Sequence, residues 1–506
     1  MPIALISVTD KTGIEQVGAD LVRLGFSLVS TGGTAQALQR AGLPVQQVSD
    51  ITGFPEMLGG RVKTLHPRVH GGILGDLSLP DHVEAMRAAG IQPISVVIVN
   101  LYRFEDTARK TESMSERIEA IDIGGPAMIR SAAKNHRHVW VVVDPADYSG
   151  LIRCLEGNED RRVEFAAKAF RHTALYDSVI SSVLTTSRVE RESITIPLRL
   201  RQSLRYGENP HQRSGLYVDP LQSGGVAQAT QLSGKELSYN NLLDADSAWL
   251  LAQDLEPDSC AIIKHSNPCG VSSMGTCAQS YLVARECDTI SAFGGVAAFN
   301  GIVNLATAEA CTAKGNFLEV ILADSFTPDA RDLIVNRSGW GANVRLLEVP
   351  PLKTLDRLQV RSISGGALVQ DYDLEPESTE FAVVTKRAPT EEERRALMFV
   401  WKVVKHVHSN AIVIGSEKQM FGVGAGQMNR VQSVRLAIEG AGDQAQGAAL
   451  ASDAFFPFPD SIETAAAAGV SAFIQPGGSK KDEEVIEAAN RANCTMLFSG
   501  VRHFRH

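Results

Sequence analysis

The sequence lacks the features that would mark a membrane protein, a secreted protein or a disulfide-bonded one. None of its apolar runs approaches the roughly 18–20 residues needed to span a bilayer. Its start, residues 1–11, has no basic segment before a short apolar stretch, so we expect a strand there and not a signal peptide. The seven cysteines form no CxxC pair, and an odd number cannot all pair within one chain. These absences predict a soluble, cytoplasmic protein with reduced thiols.

The sequence also lacks a net positive charge and a short-period repeat. Lysine and arginine number 49 against 58 aspartates and glutamates, a formal charge of −9. A dedicated nucleic-acid binder normally carries a net basic face, so we expect neither a nucleic-acid nor a membrane partner. Local basic clusters can still bind small anions. The absence of a short repeat argues against a solenoid. The 506 residues, 44% of them hydrophobic, suffice for about three domains.

The first 150 residues alternate short β-rich runs with amphipathic segments. Strands are predicted at 3–8, 27–30, 94–100 and 139–143, and helices at 12–24 and 34–41. This alternation predicts an α/β domain whose parallel sheet binds its ligand at the carboxyl ends of the strands. A long helix is predicted over 163–187 and is followed by the polar stretch 187–193. We therefore place a domain boundary near 190–200, and a second break around 350–366.

Two loops of the first domain combine hydroxyl side chains with the predicted start of a helix. Residues 7–12 (SVTDKT) follow the first strand, and residues 31–34 (TGGT) follow the second. Backbone N–H groups at a helix N-terminus suit an anion, Lys11 adds positive charge, and the two glycines allow close backbone approach. Ordinary helix capping explains either loop alone. Two such loops in one small sheet favour a phosphate site.

A basic segment follows at residues 61–70 (RVKTLHPRVH). It holds five cationic or titratable side chains between glycine pairs at 59–60 and 71–72. It is either a basic surface loop or the cationic wall of an anion site. Further on, Asn100 and Tyr102 follow an apolar strand, and residues 122–126 (DIGGP) precede a helix carrying Lys134. A lysine in a nucleotide site can stabilise an oxyanion or, if desolvated, transfer a proton.

Two motifs of the C-terminal region carry cations at turns. Arg205 lies beside the turn GENP, and arginine is a natural bidentate partner for phosphate. Lys264 and His265 follow the apolar strand 261–263, where a fixed cation can stand beside a neutral imidazole base. The alternative for Lys264 and His265 is simple exposure at a strand end.

Three further patterns have plainer explanations. Residues 268–269 (PC) match part of the PCxxC element of zinc deaminases, but position 272 is serine and no HxE precedes it. We therefore expect no catalytic zinc. The glycines of 422–426 lack an acidic ribose partner about 20 residues on, which favours a close backbone approach leading to Arg430 over a dinucleotide site. The aromatic run 455–458 (FFPF) predicts core packing unless a flat ligand stacks there.

Motifs along the whole chain resemble those of one family, in the same order. They are SVTDKTG, STGGTA, GFPEMLGGRVKTLHP, NLY, IDIGGPAMIRSAAKNH, SDAFFPF and GVRHFRH. Together they resemble the bifunctional AICAR transformylase/IMP cyclohydrolase of purine biosynthesis. The resemblance implies an α/β fold with a methylglyoxal-synthase-like parallel-sheet domain over 1–195, which is the IMP cyclohydrolase. It implies a transformylase region of two cytidine-deaminase-like lobes over 196–506.

The resemblance also implies the reactions and the partners. The formyl group would pass from 10-formyltetrahydrofolate, the co-substrate, to AICAR, and formyl-AICAR would then close to IMP with loss of water. Neither step requires a catalytic metal. A homodimer with transformylase sites shared across its interface is implied as well. Two alternatives remain open: a non-catalytic purine-nucleotide-binding or sensing protein, and an NAD-dependent oxidoreductase built on 422–426.

Matched motif by motif, the resemblance implies a cyclohydrolase nucleotide site. Its contacts fall on Ser7, Thr9, Asp10, Lys11, Thr31, Gly32, Gly33, Thr34, Arg61, Val62, Lys63, Thr64, Val99, Asn100, Asp122 and Ile123. Lys63 and Tyr102 would serve the formyl oxygen, and Asp122 and Lys134 would transfer protons. One departure is NLYRF, where the family usually has NLYPF, which puts Arg103 beside Tyr102.

For the transformylase, the resemblance implies that His265 is the base and that Lys264 stabilises the tetrahedral oxyanion. Its AICAR contacts fall on Arg205, Tyr206, His265, Gly294, Glu319, Asn410 and Arg430. Its folate contacts fall on Val431, Phe455, Ser479 and Lys480. His406 stands where other residues are common and receives no role.

Overall fold

The computed structural model describes residues 1–55, 57–58, 61–185, 189, 192–352, 358–374 and 380–506. The glycine pair at 59–60 lies outside the described residues, as do parts of the polar stretch 187–193 and of the predicted break at 350–366. The chain forms two compact units. Unit 1 comprises Met1–Arg199 and Asp219–Leu221, and unit 2 comprises Leu200–Val218 and Gln222–His506.

Unit 1 is built on a five-stranded sheet in the order β3-β2-β1-β4-β5, and all its neighbouring strands are parallel. The strands are β1 (Ile3–Ser7), β2 (Ser27–Ser30), β3 (Val45–Gln47), β4 (Ile94–Val99) and β5 (Trp140–Val142). β1 and β4 are almost entirely apolar and buried, as strands covered on both faces must be. The predicted parallel sheet is thus confirmed.

Helices surround this sheet. They are α1 (Ile14–Arg23), α2 (Gly32–Arg40), α3 (Val48–Thr52), α4 (Pro67–Leu74), α5 (Pro80–Ala88), α6 (Phe104–Lys110), α7 (Met114–Glu119), α8 (Gly124–Lys134), α9 (Tyr148–Leu155) and α10 (Arg162–Leu184). α1 starts two residues later than predicted because Gly13, with φ of 68°, is outside the helical region. α2 starts two residues earlier than predicted, at Gly32. α10 ends at Leu184, short of the predicted end.

The first lobe of unit 2, lobe A, extends from β8 to β15, after a two-stranded hairpin of β6 and β7. Its elements, with that hairpin, are β6 (Arg199–Leu204), β7 (Ser214–Val218), β8 (Thr230–Ser233), α11 (Tyr239–Gln253), β9 (Cys260–Lys264), β10 (Asn267–Ser272), α12 (Cys277–Cys287), β11 (Gly295–Phe299), β12 (Ile302–Val303), α13 (Leu305–Thr312), β13 (Leu318–Ala323), β14 (Ser325–Phe326), α14 (Pro328–Val335) and β15 (Arg345–Glu348). Six of its strands form one sheet in the order β10-β9-β11-β13-β15-β8.

The second lobe, lobe B, extends from β18 to β23 and follows a second hairpin. The elements are β16 (Leu358–Ile363) and β17 (Gly366–Asp371) of that hairpin, then β18 (Ala382–Val383), α15 (Glu391–Val404), β19 (Ile412–Gly415), β20 (Met420–Gly424), α16 (Arg430–Ala441), β21 (Ala449–Ser452), α17 (Asp460–Ala467), β22 (Ala472–Gln475), α18 (Asp482–Arg491) and β23 (Thr495–Phe498). Its sheet has the order β18-β23-β22-β21-β19-β20.

The two lobes repeat one topology. In each sheet an antiparallel hairpin (β9–β10 or β19–β20) adjoins three parallel strands, and a sixth strand pairs antiparallel at the far edge. α11 and α15 contribute to one core together with both sheets, and the outer helices of each lobe form separate cores. The hairpin edges meet where Ser272 bridges Gln419. The predicted two-lobed α/β region is confirmed.

Among the described residues, no helix has the length and apolar character that crossing a bilayer requires.

Candidate active sites

A cleft of about 590 Å³ opens in unit 1 at the carboxyl ends of β1, β2 and β4. Residues predicted for the nucleotide site line it: Ser7, Thr9, Lys11, Thr31, Gly32, Gly33, Thr34, Arg61, Lys63, Thr64, Val99, Asn100, Asp122 and Ile123. Tyr102 lines it too, with 53% of its side chain exposed. Asp10 instead accepts hydrogen bonds from Thr12, and Val62 pairs with Met57 in an isolated bridge. The cleft thus brings together five separate sequence motifs.

The first loop of the cleft is held in place by a buried amide. Asn100 Oδ1 accepts hydrogen bonds from the backbone N–H groups of Thr9 and Asp10 at 2.6 and 3.0 Å. Asn100 Nδ2 donates to the Asp10 carbonyl at 3.0 Å. Thr34 is tied to the same strand end, because its hydroxyl accepts from the Val8 N–H and lies 2.9 Å from the Val8 carbonyl. These bonds fix the backbone of the loop that lines the cleft.

The cleft carries the electrostatics of an anion site. The N-termini of α2 and α8, which begin at Gly32 and Gly124, both meet the cleft, and helix N-termini favour negative charge. Lys11, Arg61 and Lys63 add cationic side chains. Glu119 also lines the cleft, forms an ion pair with Arg61, and was not among the predicted residues.

Asp122 is the carboxyl group of the cleft that is suited to proton transfer. Burial raises the pKa of Asp122 above its ordinary value, against the opposing effects of the Gly125 N–H and of Lys63. The Gly125 N–H donates to Asp122 Oδ1 at 2.9 Å, and the Asp122 N–H donates to the Tyr176 hydroxyl at 2.7 Å. Burial raises the pKa of Tyr176 to about 12, so this hydroxyl remains protonated at neutral pH. A raised pKa in a cleft is typical of an acid–base residue.

Lys134 and Arg103 lie at the margins of this arrangement. Lys134 is the exposed last residue of α8, ten residues after Gly124, which corresponds to about 15 Å along the helix axis. Arg103 follows Tyr102 and lies 3.6 Å from Asp10 in an ion pair between exposed side chains. The departure from NLYPF therefore adds a link between the two cleft loops that Asn100 already joins.

In unit 2, Lys264 and His265 stand at the tip of the β9–β10 hairpin. Lys264 pairs with Asn267 across a two-residue turn of His265 and Ser266. Lys264 Nζ donates to the carbonyl of Gly294 at 2.8 Å, which fixes the ammonium at this edge of the sheet. His265 is exposed and open to a ligand.

Gly294 and Glu319 lie at the same edge of lobe A, because β9 is antiparallel to β11 while β11 and β13 are parallel. Gly294 has φ of 71°, and a Cβ there would lie 3.4 Å from Lys264 Nζ and 3.3 Å from the Phe317 ring. Glu319 forms an ion pair with Arg345 at 2.7 Å. Gly294 therefore lies against Lys264, and the Glu319 carboxylate is paired with Arg345.

One helix connects the Arg205 loop to the Lys264–His265 turn. Asn240 Nδ2, in the first turn of α11, donates to the Glu208 carbonyl at 3.3 Å. One helical turn later, Asp244 Oδ1 accepts from the Ser266 N–H at 2.8 Å. Residues four apart share a helix face. Arg205 itself is exposed and stacks on the Tyr206 ring at 5.6 Å.

Lobe B contributes a buried arginine cluster. Arg430, 7% exposed, donates from Nη2 to Asn410 Oδ1 at 2.8 Å and from Nη1 to Ser452 Oγ at 2.8 Å. Its Nη1 also forms an ion pair with Asp453, which is fully buried. The His408 N–H, two residues before Asn410, donates to Asn267 Oδ1 at 3.0 Å, which ties this cluster to the Lys264–His265 turn. Two predicted AICAR contacts of lobe B are therefore held near the turn of lobe A.

The residues predicted for folate follow neighbouring parallel strands of lobe B. Phe455 lies just after β21 and is 39% exposed, while the adjacent Phe456 is buried, as core packing predicts. Ser479 and the exposed Lys480 lie after β22, which pairs with β21. Val431 follows Arg430 at the start of α16. These residues share the carboxyl edge of the sheet of lobe B.

Sequence reasoning missed several residues that complete these sites: Glu119, Tyr176, Asp244, Asn267, Ser452 and Asp453. Most act through side-chain or backbone contacts across long sequence separations, such as the 54 residues between Asp122 and Tyr176. Asp453 is the exception, because the sequence does point to it. It lies inside the SDAFFPF motif, and a buried charge needs a partner. In the described part of the chain, no group of three or more His, Cys, Asp or Glu side chains is arranged to hold a metal ion.

Comparison with known proteins identifies the family. Residues 132–440 match the AICARFT/IMPCHase bienzyme family, and residues 13–127 match the MGS-like domain. Proteins named "Bifunctional purine biosynthesis protein PurH" are similar along the whole chain. The one from Persephonella marina is 47% identical and the one from Shouchella clausii 49%, each over 99% of both chains, and the one from Listeria monocytogenes is 48% identical over 100% of both. The chain therefore belongs to the AICARFT/IMPCHase bienzyme family.

Proposed function

We propose that the two activities of this bienzyme occupy separate units. Unit 1 closes formyl-AICAR to IMP in its 590 Å³ cleft. Unit 2 transfers the formyl group of 10-formyltetrahydrofolate to AICAR at the edge that carries Lys264 and His265. The corresponding domains are 1–195 for the cyclohydrolase and 196–506 for the transformylase. Membership in the family favours these reactions over a nucleotide sensor or an NAD-dependent oxidoreductase.

Ring closure needs geometry and proton transfer more than a strong nucleophile. The carboxamide nitrogen attacks the formyl carbon of the same molecule, and water is then lost. The anion-binding loops hold the phosphate, so the reacting atoms start close together. Lys63 and Tyr102 polarise the formyl oxygen, and Asp122 accepts a proton from the nitrogen. Lys134, at the far end of α8, keeps its proton-transfer role on the family resemblance alone.

Formyl transfer needs a base because the amine of AICAR is conjugated with its imidazole ring and is a poor nucleophile. His265 removes the amine proton as the nitrogen attacks the formyl carbon, a step worth roughly 10²–10⁴-fold in rate. Lys264 stabilises the oxyanion of the tetrahedral intermediate. The folate nitrogen then leaves and takes up a proton, which yields formyl-AICAR and tetrahydrofolate. Cyclisation removes formyl-AICAR and draws the transfer forward.

The remaining predicted contacts complete the binding sites. Arg205, Tyr206, Gly294, Glu319, Asn410 and Arg430 bind AICAR, and Val431, Phe455, Ser479 and Lys480 bind the folate. The protein works in the cytoplasm as a homodimer, without nucleic-acid or membrane partners. The single observation that carries the proposal is the convergence of five separate unit 1 motifs on one cationic cleft.

Paired lysine variants test the placement of the two activities. Lys264→Met should lower single-turnover formyl transfer by roughly 10²–10³-fold, yet close supplied formyl-AICAR at the wild-type rate. Lys63→Met should show the opposite pattern. Each variant serves as the control for the other, with circular dichroism confirming that both are folded. Equal loss of both activities in either folded variant would contradict the proposal.

A further inference from the structure

The turn that carries His265 has an unusual backbone. His265 and Ser266 form the two central residues of the β9–β10 hairpin, with φ of 51° and 60°. Two-residue hairpin turns with both φ positive favour Asn-Gly, because side chains with a Cβ are strained in this region. Neither residue here is glycine or asparagine. The surrounding structure must therefore hold this conformation in place.

Two side chains hold it. Asp244 Oδ1, on α11, accepts from the Ser266 N–H at 2.8 Å and lies 3.3 Å from the Ser266 hydroxyl, which donates to it. On the other side, Asn267 Oδ1 accepts from the His408 N–H at 3.0 Å, and Asn267 Nδ2 donates to the His265 carbonyl at 3.3 Å. Of these partners, as far as the structure describes them, only Asp244 places a charged group on the Ser266 N–H. Charge-assisted bonds of this type are shorter and stronger than neutral ones.

We propose that Asp244 is a positioning residue for formyl transfer. By binding Ser266, it holds the left-handed turn that places the His265 imidazole, and it does so from the helix whose first turn contacts the Arg205 loop. This inference rests on the proposed role of His265 as the base. Asp244 itself need not touch AICAR or the folate.

Removal of the carboxylate tests this role in the full-length enzyme. Asp244→Ala should slow single-turnover formyl transfer by roughly 10- to 100-fold, because small displacements of a reacting group are costly. Ring closure of supplied formyl-AICAR should stay at the wild-type rate, since that reaction occurs in unit 1. Asp244→Asn is the matched control: its amide oxygen can still accept from the Ser266 N–H, so most of the transfer rate should remain.

A second variant separates turn geometry from general stability. Glycine adopts positive φ freely, so Ser266→Gly combined with Asp244→Ala should transfer faster than Asp244→Ala alone. If Asp244 served only the stability of unit 2, glycine would give no recovery, and a lowered midpoint of thermal unfolding would account for the slow transfer of Asp244→Ala. Either of those results would overturn the inference.

Measurement of His265→Ala in parallel distinguishes this inference from the proposed function. If His265→Ala transfers at the wild-type rate, the role of His265 is wrong and that of Asp244 falls with it. If His265→Ala is slow while folded Asp244→Ala transfers at the wild-type rate, only the role of Asp244 is wrong.

Discussion

At the scale of single residues, each proposed site depends on one group whose surroundings prepare it for its task. Burial raises the pKa of Asp122, and its backbone is anchored to Tyr176. Lys264 is aimed by its bond to the Gly294 carbonyl. In both cases the contacting neighbour, Tyr176 or Gly294, is distant in the sequence. A motif alone therefore does not reveal how the group is positioned.

Asp122→Asn should separate stability from activity. The buried carboxylate costs free energy when ionised, and asparagine keeps an oxygen that can accept from the Gly125 N–H. We expect ring closure to fall by roughly 10²-fold or more, with the midpoint of thermal unfolding at neutral pH unchanged or higher. In the wild type, the acid limb of kcat/KM for ring closure should lie above the ordinary pKa of aspartate. A folded variant that keeps wild-type ring closure would contradict the role of Asp122.

Gly294→Ala should disturb Lys264 without removing it. The added Cβ would crowd the ammonium and the Phe317 ring, and φ of 71° strains any L residue. We expect formyl transfer to fall by roughly 10-fold or more while ring closure is retained. The positive-φ glycine Gly315, whose Cβ would meet nothing within 4 Å, provides a matched control as Gly315→Ala. If both alanine variants transfer equally fast, crowding of Lys264 is not the cause.

At the scale of elements, α15 shows how one ion pair fixes a helix start between the two sheets. Thr390 and Glu393 form a capping box, and Arg387 donates to both Glu393 oxygens at 2.8 Å. Burial alone would raise the pKa of Glu393, but hydrogen bonds from Arg387, the Thr390 N–H and the Ser471 hydroxyl lower it to about 2. α15, which packs in the core shared by both lobes, is thus capped by a carboxylate that remains ionised in mild acid.

This pKa predicts a loss of stability in acid. The pKa of Glu393 is lower in the folded protein than its ordinary value of 4.5, so its contribution is complete above about pH 4.5 and lost as the pH falls towards 2. Glu393→Gln should therefore lower the free energy of unfolding at pH 7 and flatten its dependence on pH between 5 and 2. Denaturant unfolding at several pH values measures both. Parallel pH curves for variant and wild type would contradict this account.

The elements also show what sequence reasoning can and cannot reach. The short apolar runs of β1, β2 and β4 predict buried parallel strands, and the polar loops after them predict the cleft. Helix ends are harder to predict from sequence. α1 starts just after Gly13 and α2 starts at Gly32, and the positive φ of these glycines is visible only in the structure. The repeated topology of lobes A and B follows from long-range strand pairing and leaves no short repeat in the sequence. Partners such as Tyr176 and Asp244 become visible only when the chain is folded.

At the scale of the whole molecule, each unit has its own core. Unit 1 packs its apolar residues around the five-stranded sheet, with Leu221 added from a short later segment, whereas unit 2 has three clusters around its two sheets. Independent cores of this size predict independent folding. The assignment of one reaction to each unit therefore has a direct consequence for truncation.

A fragment of residues 1–199 should fold and close supplied formyl-AICAR to IMP, with no formyl transfer from 10-formyltetrahydrofolate. It contains all the residues that line the cleft. Its folding is checked by a cooperative thermal transition, and its activity by identification of IMP as the product. A folded fragment without ring closure would contradict the assignment of this reaction to unit 1.

The most direct test of the account is single-turnover formyl transfer by full-length His265→Ala, measured beside ring closure on the same preparation. We expect AICAR binding to stay within about tenfold of the wild type, which is about 1.4 kcal/mol. Transfer should fall by roughly 10²-fold or more because the proton is no longer removed. Ring closure should be unchanged, since it occurs in unit 1. Near-wild-type transfer, or a parallel decline of both activities, would contradict the central claim that His265 is the base of a separate transformylase site.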